Sequence, residues 1–298
     1  MNDILVGERA TTNTHLCALL SLFDTSGRIQ DFTNFKVLIH QLYYADLKVN
    51  FQQHPILLAV PFSWTEEEKT LAQKSIFELG IPLACLVDSA KLLCYNYAKP
   101  SCLLLKISSS GVCCVPMTGY EPNNKLKKFV HVEIDKFVHS LGIRVDYYDN
   151  SYNVSRKLIA VPPFAVDKVA VTSETQKEWN EFEAHLPEGT IQVGYYEETA
   201  DESARLNCGE KLFEHVFETD ISVIESIVNL EEREFFLKNI LVTGGFSAVY
   251  GMKERLTREL TVRYPSCCLT FAHHDMDVIG GARIFTSLHN FKQHLETK

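Results

Sequence analysis

Asn239-Ile-Leu-Val-Thr-Gly-Gly-Phe-Ser-Ala-Val-Tyr-Gly-Met-Lys-Glu-Arg-Leu-Thr-Arg-Glu-Leu260 is the stretch around which the 298-residue chain is organised. Ile240, Leu241 and Val242 form a short apolar run suited to a buried strand, and Thr243-Gly244-Gly245 ends it abruptly. Beyond the break Met252, Leu256 and Leu260 recur every fourth residue, with Lys253, Glu254, Arg258 and Glu259 away from them, and Pro265 stops any continuation. The pattern predicts strand, glycine turn, helix. Two glycines without Cβ atoms let a backbone or a ligand approach closely. Such a turn is either a tight packing joint or a seat for a nucleotide's base or phosphates, and the glycines alone do not choose.

Hydrophobic residues make up 46% of the chain, enough for a large core or two domains and inconsistent with a disordered or fibrous protein. A net charge of -9 disfavours broad attraction to nucleic acid or to an anionic membrane surface. The densest basic cluster, Lys125-Leu126-Lys127-Lys128, reads as a solvated face. No apolar run approaches the roughly 18 residues of a membrane span. Met1 to Ala10 lacks the charged-then-apolar order of a signal peptide, so an intracellular setting is expected. The nine cysteines include the adjacent pairs Cys113-Cys114 and Cys267-Cys268, which do not supply Cys-x-x-Cys zinc spacing; they read as buried free thiols. Asn153-Val154-Ser155 matches a glycosylation sequon by chance in such a chain.

Upstream, Asp31 to Leu47 has helical periodicity, Pro55 to Val60 reads as a buried strand, and Thr65-Glu66-Glu67-Glu68 forms a capping box for a helix running to Gly80. Ile81 to Val87 and Ser89 to Tyr97 follow as strand and helix, an order that implies helices packed on a sheet. Cys102 to Ile107 and Val112 to Met117 read as strands joined by Ser108-Ser109-Ser110-Gly111, a turn that suits a plain hairpin or a phosphate cradle. Lys157 to Val161 is a strand or a helix start, and Leu186 to Thr190 turns into a strand from Ile191 to Tyr195. Asp220 reads as the cap of a helix carrying Ile221, Ile224, Ile227 and Val228. Leu230 to Lys238 leads into the central strand. Val278-Ile279-Gly280-Gly281 precedes a helix with Ile284, Leu288 and Phe291 on one face. Trp64 is expected beside its helix start, and His273-His274-Asp275 in a solvated loop.

Taken in order, these pieces resemble the actin and actin-related protein family across roughly residues 30 to 292. Ile240 to Gly251 is similar to the family's strand and adenosine-side Gly-Gly turn, and Val278 to Phe291 to its late Gly-Gly helix. Val49 to Pro61, Ser110-Gly111-Val112 with Val115-Pro116, and Leu186 to Gly194 match three further family segments. The resemblance implies an α/β, actin-like fold of the actin, hexokinase and heat-shock ATPase superfamily, two-lobed and shortened at both ends. The first lobe is expected at 1–98 plus 276–298, without the family's first phosphate hairpin, and the second at 99–275. Ile39 to Tyr44, Val49-Asn50 and Gly280 to Phe285 are similar to the branch found at the pointed end of dynactin.

The departures from the family pattern carry the functional expectation. Ile107 and Ser110 stand where the family's second phosphate hairpin has aspartates, Ser89 where it has a water-orienting Gln, and Tyr152 and Ser155 where charged residues surround the adenine. Without the carboxylates a hydrated magnesium loses its anchor and hydrolysis its positioning groups, so no ATPase activity is expected. The resemblance leaves a degenerate nucleotide site at Ser108, Ser109, Ser110, Gly111, Gly244, Gly245 and Phe246, no metal ligands, and either no cofactor or ATP bound without hydrolysis. It implies a non-catalytic cytoplasmic, cytoskeletal subunit that caps an actin-like filament, with other actin-related or actin subunits and pointed-end dynactin subunits as partners and dynein-driven transport as setting. A subunit of a nuclear chromatin-remodelling complex is the alternative. A hydrolase built on Ser247 is disfavoured because Gly245-Phe246-Ser247-Ala248-Val249 lacks the second glycine of a nucleophile elbow.

Overall fold

The computed structural model describes residues 4–6, 28–61, 63–108, 111–132, 140–141, 156–165, 172–193, 196–272 and 277–297. Asn153-Val154-Ser155, Tyr152 and His273-His274-Asp275 lie outside them. β1 (Ile4–Val6) is followed by α1 (Phe32–Gln41), whose N-cap Asp31 accepts from the amides of Thr33 and Asn34. A π-helical turn, Leu42–Asp46, continues it, which is why periodicity alone reads one longer helix. β2 (Ile56–Val60) is buried throughout. α2 (Glu66–Glu78) starts at the expected capping box, with the Glu68 amide on the Thr65 hydroxyl at 3.2 Å and the Thr65 amide on the Glu68 carboxylate at 2.6 Å. β3 (Leu83–Asp88) runs straight into α3 (Ser89–Asn96).

β4 (Cys102–Ser108) and β5 (Gly111–Thr118) form an antiparallel hairpin, followed by the short strands β6 (Glu121–Pro122) and β7 (Lys128–Val130). α4 (Ser173–Ala184) is capped by Thr172, and β8 (Thr190–Val193) and β9 (Tyr196–Thr199) pair with each other. α5 (Glu202–Ser226) and α6 (Leu230–Leu237) precede β10 (Ile240–Thr243), α7 (Met252–Arg263) and β11 (Leu269–Ala272). α8 (Asp277–Ser287) and β12 (Glu296–Thr297) complete the order.

Four expectations change. Asp220 caps nothing: α5 starts well before it, at the N-cap Asp201, and Asp220 sits buried within the helix. The apolar face of Leu212, Phe213, Val216, Val223 and Ile224 continues past it, so burial overrides a local capping preference. Val228 lies outside that helix and is 89% exposed. Gly280 and Gly281 lie inside α8 rather than ahead of it, Ile284 is exposed, Leu288 falls beyond the helix and Phe291 is buried in a separate 3₁₀ turn. Lys157 to Val161 divides between both readings: residues 156–158 are helical, while Ala160 forms a parallel bridge with Tyr250. Of the cysteines, Cys85, Cys94, Cys102, Cys113, Cys114 and Cys208 are buried free thiols, but Cys267 is half-buried and Cys268 exposed.

The chain divides into two compact units. The first comprises Met1–Pro100, Thr118–Pro122 and Asp275–Lys298. Its sheet runs β1-β2-β3-β12, parallel except for β12. One face of β2, through Ile56, Leu58 and Val60, packs with Phe35, Ile39, Tyr43 and Ile76; the other, through Leu57 and Ala59, packs with Val87, Leu92 and Phe285. Trp64 meets Phe35 edge-on at 6.4 Å between ring centroids, in its expected place.

The second unit comprises Ser101–Met117 and Asn123–His274. Its sheet runs β11-β10-β4-β5, with β7 also on β5. β10 is parallel to both neighbours, so the strand read from Ile240 to Val242 is the interior of the sheet and carries no exposed residue. Leu212, Val216, Phe246, Met252, Leu256 and Leu260 pack in one cluster with Leu103, Leu105 and Ile107 of β4.

Candidate functional site

Within the second unit the register β4–β10 places Thr243 beside Lys106, so the next residue, Gly244, arrives beside Ile107. Gly244 has φ +94°, and a Cβ there would lie 2.3 Å from the Ile107 carbonyl oxygen and 2.8 Å from its carbon. The glycine turn and the serine turn named from sequence are therefore brought together, with backbone against backbone. The turn closes on itself: the Ser247 amide and hydroxyl both donate to the Gly244 carbonyl, at 3.0 and 2.6 Å. Gly245 to Ala248 forms one 3₁₀ turn, with Phe246 fully buried in the core, before α7 begins at Met252.

On the opposite side, the Ser108 hydroxyl donates to the Gly111 carbonyl at 3.0 Å across the end of the hairpin. Gly111 has φ +144°, and a Cβ there would lie 2.2 Å from the Val130 carbonyl oxygen of β7. Ser109 and Ser110 lie outside the described residues. Gly244 and Gly111 thus each accommodate a neighbouring strand or turn of the chain itself. Ile107 is fully buried in the core cluster, and Ser89, in the first unit, is buried at the start of α3. Among the described residues no group of three or more His, Cys, Asp or Glu side chains is placed to hold a metal. Ile107, Ser108, Gly111 and Gly244 to Phe246 offer no carboxylate to a hydrated magnesium ion, so this part of the site does not fit a magnesium nucleotide poised for hydrolysis.

Sequence reading missed what holds the turn from behind. A strap at Leu158 to Pro163 lies beside Tyr250, whose carbonyl accepts from the Val161 amide at 2.8 Å. Arg205 donates to the carbonyls of Leu158 and Pro187, both at 2.7 Å, and Arg255 donates to the Pro162 carbonyl at 3.0 Å. Gly209 and Gly251 let the strap approach: a Cβ would lie 1.8 Å from the Ala160 oxygen and 2.0 Å from the Val161 oxygen respectively. The sequence signal available was two arginines and a glycine within otherwise amphipathic helices. Lys106, buried next to Ile107, likewise gives no signal in the apolar run of β4.

The actin family model matches residues 1–130. Actin-like protein 7B of Rattus norvegicus is 23% identical over 294 residues, covering 90% of this chain and 67% of that protein. Its Mus musculus counterpart is 23% identical, covering 90% of this chain and 66% of that protein. The chain thus spans about two thirds of the length of these relatives. With the mixed α/β build of its two units, these matches support an actin-related protein with an actin-like fold.

Proposed function

We propose that this chain is a non-catalytic actin-related subunit that docks on an actin-like assembly instead of cycling ATP. One observation carries the reading: the residue beside the glycine turn is Ile107, a buried aliphatic side chain in the position where the family resemblance calls for an aspartate. An alkyl group neither orients attacking water nor anchors magnesium. Exposed apolar side chains support the docking role, with Tyr44 at 76% and Leu230 at 73% exposure beside the still more exposed Val228. The similarity of Ile39 to Tyr44 and Gly280 to Phe285 to the dynactin pointed-end branch favours a filament-capping place in that complex, in the cytoplasm and with actin-related neighbours.

The reading is tested by titrating the full chain with magnesium-ATP in a calorimeter while phosphate release is followed in the same sample. Absence of turnover is expected; steady release would overturn the proposal. Binding without release would make the chain a nucleotide-held subunit at Ser108 to Gly111 and Gly244 to Phe246. Affinity capture of the chain from its own cells is expected to return dynactin subunits. Recovery of a chromatin remodeller would move the subunit to the nucleus.

A further inference from the structure

Toward the C-terminal end of α5, Asp220 faces the core of the second unit and is 0% exposed. Its Oδ1 accepts a hydrogen bond from the Cys114 thiol of β5 at 3.4 Å, and its Oδ2 has no hydrogen-bond partner among the described residues. Inside a helix the carboxyl caps no amide. A thiol is a weak donor, so the ionised form would be buried with little compensation. Among the described residues, thiols are coupled to the pair: Cys102 and Cys113 act on Cys114, and the half-buried Cys267, on the turn after α7, lies within electrostatic reach of Asp220. Lys128 stands opposite Cys114 on β7, on the same side of the sheet, yet it makes no hydrogen bond to Oδ2. The neighbouring Thr219 hydroxyl is directed to the His215 carbonyl at 2.6 Å, away from this task.

We propose that Asp220 is a protonation-dependent latch between α5 and β5: neutral, it lets helix pack on strand without burying a charge, and ionised, it loosens that packing, because the single bond from the Cys114 thiol does not offset the burial of a carboxylate. β5 begins at Gly111, so the latch lies three residues behind the serine turn. Burial raises the Asp220 carboxyl from its ordinary 3.8 to about 7, and burial raises the Cys114 thiol as well. The sign follows. Below about pH 4 both folded and unfolded chains hold the proton, and the neutral latch contributes fully. From about 4 to about 7 the unfolded chain releases a proton that the folded chain keeps, so the contribution falls as pH rises and is gone above about 7. The foot of that window lies at neutral pH, where small changes alter the population of the loosened form.

The test compares urea unfolding of the full chain and of Asp220→Asn between pH 5 and 8. Taking the ratio of the two unfolding constants cancels the other carboxylates. The ratio is expected to rise by as much as about tenfold per pH unit up to about 7 and then level off. A ratio that stays flat, or one that falls as pH rises, would overturn the latch. Hydrogen exchange on the natural chain, corrected for intrinsic rates, needs no variant. Amides from Leu212 to Ile224 and from Val112 to Val115 are expected to lose protection between pH 6 and 8 while those of α2 keep theirs; no loss, or equal loss in both units, also overturns it.

Discussion

Gly244 and Ile107 touch through their backbones: the space a Cβ on Gly244 would need is held by the Ile107 carbonyl. Both ends of the contact are fixed by the parallel ladder between β10 and β4, which leaves neither strand free to withdraw. Gly244→Ala therefore combines a left-handed φ with a collision against backbone. A loss of about 3 kcal/mol or more is expected, read as a lower urea midpoint with an unchanged slope. An alanine variant as stable as the natural chain would remove the packing account of this turn. It would also return the glycine to a purely ligand-related explanation.

Gly280 and Gly281 offer a comparison within one helix. At Gly281 a Cβ would lie 1.8 Å from the Leu92 carbonyl oxygen of α3, which is backbone. At Gly280 it would lie 2.2 Å from the Asn96 side-chain oxygen, which can rotate away. The rotation would break the bond from Asn96 Nδ2 to Asp277 Oδ1, now 3.2 Å long, at a cost of about 1 kcal/mol. Alanine's better helix propensity offsets about the same amount. Gly280→Ala is expected to be near neutral and Gly281→Ala to cost more than about 2 kcal/mol. Thermal melting of the two variants side by side decides; the reverse order would mean that α3 and α8 are not packed through Gly281.

Much of this fold was legible because local signals and burial agree. The capping box at Thr65, the β4–β5 hairpin and the spacing of Met252, Leu256 and Leu260 each point one way, and the structure follows. Asp220 and Gly281 were misread for a shared reason. Aspartate and glycine are punctuation in most local contexts, and nothing in their immediate neighbours announces a long helix or a close helix crossing. The candidate site was half legible. Gly244 and Ser108 stand out by residue type and position between strands, but the strap from Leu158 to Pro163 is held by Arg205 and Arg255, whose partners lie 47 and 93 residues away. Long-range hydrogen bonds to main-chain carbonyls leave no periodic trace.

Arg255 gives the sharpest test of that strap. It is 3% exposed, donates to the Pro162 carbonyl at 3.0 Å, pairs with Glu259 at 2.8 Å and Glu210 at 3.3 Å, and lies 4.5 Å over the Phe213 ring. Arg255→Met keeps the apolar stem but leaves the Pro162 carbonyl and the two carboxylates without their donor. A loss of about 2–4 kcal/mol is expected. Arg255→Lys is expected to recover less than half of it, because one ammonium cannot serve a carbonyl and two carboxylates at the angles a planar guanidinium spans. Since the cation is shielded from solvent, raising the salt concentration should leave the difference between natural chain and variant largely unchanged. Full rescue by lysine, or a difference that vanishes in salt, would show Arg255 to be an ordinary surface ion pair. Retained strength would identify the clamp that fixes the strap behind the glycine turn.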